Sequence, residues 1–244
     1  MEIIVTEDYE SMSRAAAEVV LGQVRDKSDS ILGLATGSTP EGMYRCLVKA
    51  YEEGKADFSK VQTVNLDEYI GLKATHPQSF RYYMNTKFFD HVNISKKNTY
   101  MPDGMELRID KIADAYEKKL EEIGKRDIQI LGIGGNGHIG FNEPADSFAE
   151  YVNVTELTEE TIAANARFFS DENIPKKAVT MGIKDIMSAK TVILMVSGSG
   201  KRDILKKALY GEITPKVPAS ILRLHPNLIV ITDREAGEAL EEVR

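Results

Sequence analysis

The chain has 244 residues, 42% of them hydrophobic and 28% charged, with a formal net charge of -7 at pH 7. That length supports one full hydrophobic core, and the negative balance excludes a general nucleic-acid or anionic-membrane surface, so any anion must be met by a local cluster of positive groups. A single cysteine excludes an internal disulfide, and one cysteine with four histidines leaves little for a zinc site.

No apolar stretch reaches the about 18 residues of a membrane span, and there is no low-complexity segment, linker or solenoid repeat. Residues 1–244 therefore read as a single domain. Met1 to Asp8 lack a basic region followed by an apolar stretch, so a cytoplasmic location is expected.

In chain order, residues 3–5 suggest a first short strand and 9–25 a helix with apolar positions every three to four residues. The run 31–35 reads as a strand. It opens into Thr36-Gly37-Ser38-Thr39-Pro40-Glu41, in which Pro40 suits the first position of a helix and Thr39 its cap. A helix start with Ser and Thr hydroxyls beside it favours an anion such as phosphate, and plain capping accounts for the same residues equally well. The helical pattern 40–53 follows and carries Cys46 as a small buried hydrophobe.

A strand over 61–66 ends in Asp67-Glu68-Tyr69, two adjacent carboxylates whose side chains diverge. One of them facing a cleft can serve as a general base; loop solvation or helix capping are the other readings. The segment from Tyr69 to Met84, with His76-Pro77, is a candidate mobile cover, and a helix is predicted over 109–123.

The run 128–131 fits a buried parallel strand, and it opens into Gly132-Ile133-Gly134-Gly135-Asn136-Gly137-His138-Ile139-Gly140-Phe141-Asn142-Glu143-Pro144. Open α/β sheets bind ligands at that edge, and a tight turn needs one or two glycines where this loop has five. A histidine held there can shuttle a proton near neutral pH. The loop also satisfies G-x-G-x-x-G, but Asn142, Glu143 and Pro144 stand where a dinucleotide-binding helix would run, so the match is read as false.

Further on, a helix over 159–169 and strands over 178–183 and 191–196 are expected, the last entering Ser197-Gly198-Ser199-Gly200-Lys201-Arg202 and a helix over 201–210. This repeats the geometry of the first loop and adds a lysine, so two loops at one sheet edge favour phosphate. It is not a nucleotide P-loop, because Met195 and Arg202 replace its first glycine and its magnesium-binding hydroxyl. A strand over 228–231 and a helix over 234–243 complete the chain. The alternation predicts an α/β fold with a mostly parallel sheet flanked by helices.

Taken together, Leu66-Asp67-Glu68-Tyr69, the block from Gly135 to Pro144, Asn165-Ala166-Arg167-Phe168-Phe169 and Leu224-His225-Pro226 resemble the glucosamine-6-phosphate deaminase family, in order and over nearly the whole chain. The resemblance implies a Rossmann-like sheet and conversion of glucosamine 6-phosphate to fructose 6-phosphate and ammonia, with no metal or organic cofactor. It implies that Asp67 moves the proton from sugar C2 to C1 and that His138, oriented by Glu143, opens the ring. It also implies that phosphate lies between Gly37, Ser38, Thr39 and Lys201, with Arg167 as a fork-shaped donor.

Two departures stand out. Many family members have an aspartate where this chain has Asn136, which joins the expected catalytic set but leaves the relay resting mainly on Glu143. Allosteric members carry basic residues after the proline, where this chain has Asp146, Asn153 and Thr155, so an activator site is not expected. The nearest rivals are a 6-phosphogluconolactonase, against which Phe141-Asn142-Glu143-Pro144 and Asp67-Glu68-Tyr69 speak, and a sugar-phosphate sensor that has lost catalysis. Neither His76 nor His225, both before proline, is given a catalytic role, and the sequence leaves monomer and homo-oligomer open.

Overall fold

Hydrophobic runs in this chain are short and β-branched, whereas the segments between them repeat their apolar positions at helical spacing, and the structure follows that division. It is a computed structural model, described for residues 1–106, 108–166, 169 and 174–241; the side chains of residues 109, 110, 164, 165, 239 and 241 are left aside. The first half runs β1 (Glu2–Thr6), α1 (Tyr9–Asp26), β2 (Ile31–Leu34), α2 (Glu41–Glu52), β3 (Gln62–Asn65), β4 (Asp67–Tyr69), α3 (Phe80–Lys87), β5 (Thr99–Tyr100), α4 (Ile109–Ile123) and β6 (Ile128–Leu131). The second half runs β7 (Asn153–Glu156), α5 (Glu159–Ala166), β8 (Lys177–Thr180), α6 (Ile183–Met187), β9 (Thr191–Val196), α7 (Arg202–Tyr210), β10 (Leu228–Asp233) and α8 (Arg234–Glu241).

Seven strands form one sheet in the order β1-β10-β9-β6-β2-β3-β5, and all its pairings are parallel. The central strands are buried on both faces: β6 has no exposed residue, and β9 is covered from Val192 to Val196. Helix α1 shows how the flanking layer is specified. Asp8 caps it by accepting the Ser11 N–H at 2.7 Å, and Met12, Ala16, Ala17, Val20 and Val24 form its buried stripe. Fully burying a side chain of valine or methionine size contributes about 1.5–3 kcal/mol, so this stripe and not helix propensity holds α1 in place. The expected α/β fold with a mostly parallel sheet is what the chain adopts. Among the described residues, no helix is long and apolar enough to cross a membrane.

Three expectations are corrected. The apolar run 178–183 does not join the parallel sheet: β8 lies between β4 and β7 in a separate three-stranded antiparallel sheet, and α6 begins at Ile183. A short apolar run carries no information on its pairing direction, and here the partners come from distant segments. The acids at 67 and 68, expected at the end of the strand over 61–66, start a new strand instead. Leu66 is the junction, since its N–H donates to Leu34 O at 3.2 Å in the large sheet and its C=O accepts from the Met181 N–H at 2.8 Å beside the small one. Finally, α2 begins at Glu41 with Pro40 in the capping position and no side-chain cap, so Thr39 belongs to the loop. Cys46 is partly buried against the core.

Candidate active site

Strand ends converge on a cavity of about 520 Å³. Residues 36–39 after β2, Leu66 and Asp67 after β3, residues 132–136 and His138 after β6 and Lys201 after β9 all line it, which is the carboxyl edge of the parallel sheet. Helix α3 closes one side with Phe80, Tyr83 and Lys87, and α5 another with Glu160 and Thr161.

The histidine loop is shaped around its imidazole. A Cβ on Gly134 would stand 2.2 Å from His138 Cε1, so only glycine admits the ring there, and the Gly134 N–H donates to His138 O at 2.9 Å. Nδ1 of His138 is buried 3.4 Å from Glu143 Oε2, longer than a good hydrogen bond and an ion pair only when the imidazole carries a second proton. This leaves Nε2 as the nitrogen available to a ligand. Glu143 is gripped in turn: Asn136 Nδ2 donates to its Oε2 at 2.8 Å and Thr161 Oγ1 to its Oε1 at 2.5 Å. Burial works to raise the Glu143 pKa, but His138, Thr161 and Asn136 outweigh it and hold the carboxylate at about 2. Glu143 is therefore an anion at any working pH, suited to fixing an imidazole and to stabilising an imidazolium.

Asn136 does more than replace a charge. Its Oδ1 accepts the His138 backbone N–H at 3.1 Å while its amide holds Glu143, so it braces both members of the pair. A negatively charged residue there would lose the donor that Glu143 needs. Thr161 was not visible to sequence reasoning, because nothing in the pattern of α5 links it to a residue 18 positions earlier.

Asp67 and Glu68 divide the two roles that the sequence left open. Asp67 lines the cavity at 6% exposure, and its pKa is pushed up to about 8, first by burial and then by the neighbouring Glu68 charge. Glu68 points the other way and accepts from the Tyr69 and Phe80 N–H groups and from the Arg81 N–H, each at 2.9 Å, which fastens the start of α3. One acid is thus a candidate base and the other a helix anchor. Tyr69, Phe80, Phe141 and Phe169 form an aromatic wall with ring centroids 4.7 Å (Tyr69 to Phe80), 5.5 Å (Tyr69 to Phe141) and 5.8 Å (Tyr69 to Phe169) apart. Four separate segments supply it, which is why no local motif announced it.

The two expected phosphate loops are not equivalent. In the first, Gly37 has φ 94°, a conformation that side chains other than glycine rarely adopt, and Ser38 and Thr39 line the cavity with it. In the second, Ser197 Oγ and the Gly198 N–H donate to Asp233 Oδ2 at 2.5 and 2.9 Å, and the Ser199 N–H faces Glu235 Oε2 at 3.3 Å. Those donors are already satisfied by carboxylates, so of this loop Lys201 is what lines the cavity, and the expectation of two equivalent loops is corrected. Arg167 lies outside the described residues. His76 and His225 each accept a backbone N–H from two residues ahead at 3.1 Å, as turn residues do. The Gly132 to Gly137 segment leads into turns and no helix, so it has no dinucleotide-binding geometry.

Residues 7–230 match the family of glucosamine-6-phosphate isomerases/6-phosphogluconolactonase. A glucosamine-6-phosphate deaminase of Thermoanaerobacter pseudethanolicus is 49% identical over 243 residues, spanning 99% of this chain and 96% of that protein. A solved structure of a monomeric glucosamine-6-phosphate deaminase superposes with a TM-score of 0.95 at 42% identity, covering 98% of this chain and 100% of its own. A 6-phosphogluconolactonase from Leishmania guyanensis has the same fold, with a TM-score of 0.78 at 22% identity over 98% of both chains. Fold and sequence agree along almost the entire length, and the chain belongs to the glucosamine-6-phosphate isomerase/6-phosphogluconolactonase family.

Proposed function

We propose that the chain deaminates glucosamine 6-phosphate, using water to give fructose 6-phosphate and ammonia. The observation that carries this reading is the buried carboxyl of Asp67 opening into the same cavity as the braced His138–Glu143 pair. Hydrolysis of a lactone needs one base to activate water. Aldose–ketose isomerisation needs two devices, one for the ring and hydroxyl protons and one for a carbon-bound proton, and the cavity offers two.

In this reading, His138 Nε2 moves a proton between the anomeric hydroxyl and the ring oxygen, opening the sugar, and the Glu143 carboxylate carries the imidazolium through the transfer. Asp67 then takes the proton from C2 to form the enolamine and returns it to C1. The product imine at C2 adds water and releases ammonia, leaving the ketose. Empty, Asp67 holds a proton up to about pH 8. A substrate amine arriving as an ammonium favours the carboxylate by placing an opposite charge beside it, so the base is generated when substrate binds. Gly37, Ser38, Thr39 and Lys201, with Arg167, hold the phosphate, and the aromatic wall of Tyr69, Phe80, Phe141 and Phe169 covers the sugar's apolar face.

The enzyme works without a sugar-phosphate activator. The hollow containing Asn153 and Thr155 measures about 90 Å³ and has no basic lining residue, and Asp146 nearby is paired with Lys216 at 2.7 Å. Small-molecule pockets run to about 300–1,000 Å³. A sugar phosphate is a dianion that does not cross a bilayer, which supports a cytoplasmic reaction. The test is release of ammonia and fructose 6-phosphate from glucosamine 6-phosphate by the full chain. No turnover, together with hydrolysis of 6-phosphogluconolactone, would overturn the proposal, and sigmoidal kinetics relieved by N-acetylglucosamine 6-phosphate would overturn the unregulated reading.

A further inference from the structure

The carbonyls around the anion cradle are tied down by tyrosines from three different helices. Tyr44 of α2 donates to Ala35 O at 2.6 Å, Tyr83 of α3 to Gly37 O at 2.6 Å, and Tyr9 of α1 to Ser38 O at 2.8 Å. Tyr9 Oη also accepts the Gly42 N–H at 2.8 Å, and the Tyr83 ring meets Tyr44 edge-on at 6.4 Å. Among the described residues, the N–H groups of Gly37, Ser38 and Thr39 donate to no protein acceptor.

A peptide loop can present either its N–H or its C=O dipoles to a ligand. A carbonyl turned toward the cavity would repel a phosphate dianion, while a row of N–H groups attracts it. Burial raises the pKa of both Tyr44 and Tyr83, so both phenols stay protonated and act as donors at any working pH. We propose that Tyr9 and Tyr83 are positioning residues that hold the Gly37 and Ser38 carbonyls on protein hydroxyls, and so set the affinity for the substrate's phosphate group without taking part in proton transfer. The proposal deepens the deaminase reading and rests on it for the identity of the phosphate's carrier.

Tyr83→Phe and Tyr9→Phe each remove one hydroxyl. Tyr83→Phe is the cleaner variant, because Tyr9→Phe also strips the Gly42 N–H of its acceptor. Loss of one oriented hydrogen bond weakens binding by about tenfold. The expected result for Tyr83→Phe is a KM for glucosamine 6-phosphate raised by that factor, with kcat within about twofold, and calorimetric affinity for inorganic phosphate lowered by the same factor. A merely structural role would lower Tm and leave both phosphate readouts unmoved. Unchanged phosphate affinity in Tyr83→Phe, absence of phosphate binding to the wild type, or a fall in kcat at constant KM would each overturn the proposal. Weakened phosphate binding by the variant, with a wild type that does not deaminate, would uphold the tyrosine clamp and sink the reaction instead.

Discussion

Replacing Asp67 with asparagine should stabilise the protein as it removes activity, and by an amount that grows with pH. The ordinary aspartate pKa of 3.8 applies to the unfolded chain, and about 8 to the folded one. Below about pH 4 both states carry the proton and the group contributes nothing. As pH rises, the unfolded chain releases its proton while the fold keeps it, so stability falls continuously until about pH 8. Each pKa unit is worth about 1.36 kcal/mol, so the wild type loses about 3 kcal/mol between pH 5 and pH 7.5 that Asp67→Asn does not lose. At roughly 2–4 °C per kcal/mol for a domain of this size, the variant's advantage in Tm should widen by about 10 °C over that interval. Thermal melts of both proteins at the two pH values measure it. The amide's own desolvation cost is present at both pH values and cancels in the comparison. A Tm difference that stays constant with pH would refute the reasoning, since it would mean that burial does not hold the proton on Asp67.

Four further outcomes follow from the same geometry. In the wild type, kcat/KM should fall about tenfold per pH unit below about pH 8, because it reports the free enzyme's base, and an acid limb starting only below pH 6 would contradict this. Glu143→Gln, which removes the charge beside His138, should lower kcat by about 10²–10³-fold, whereas Asn136→Ala, which removes a brace, should cost about tenfold; equal losses in the two variants would show that Glu143 is not the main support. Gly134→Ala pushes a methyl into the imidazole's place, so kcat should drop at least about 10²-fold with Tm changed little; near-normal turnover would mean that His138 need not sit where it does. Thr161→Val should raise the Glu143 pKa and cut kcat by about tenfold, and an unchanged rate would show the 2.5 Å contact to be dispensable.

The periodic elements and the chemistry of one loop are legible in the local sequence. Alternating β-branched runs and helical stripes point to a mostly parallel sheet with flanking helices, although the run at 178–183 shows that the period alone does not set a strand's partner or direction. The glycines and His138 all lie between residues 132 and 140, so their meeting needs no distant segment to bring it about. Whatever depends on distant segments was decided by the tertiary structure. The change of sheet at Leu66 turns Asp67 into the cavity and Glu68 onto α3, a choice that two adjacent carboxylates do not encode. Asp233 claims the donors of the loop after β9, 36 residues before it, and so reduces a second apparent phosphate cradle to Lys201. Thr161, Tyr9 and Tyr83 reach the site from three helices whose local patterns report only their buried faces. Local sequence fixes which groups a segment carries, and long-range packing fixes which of those groups are spent on the protein and which are left for a ligand.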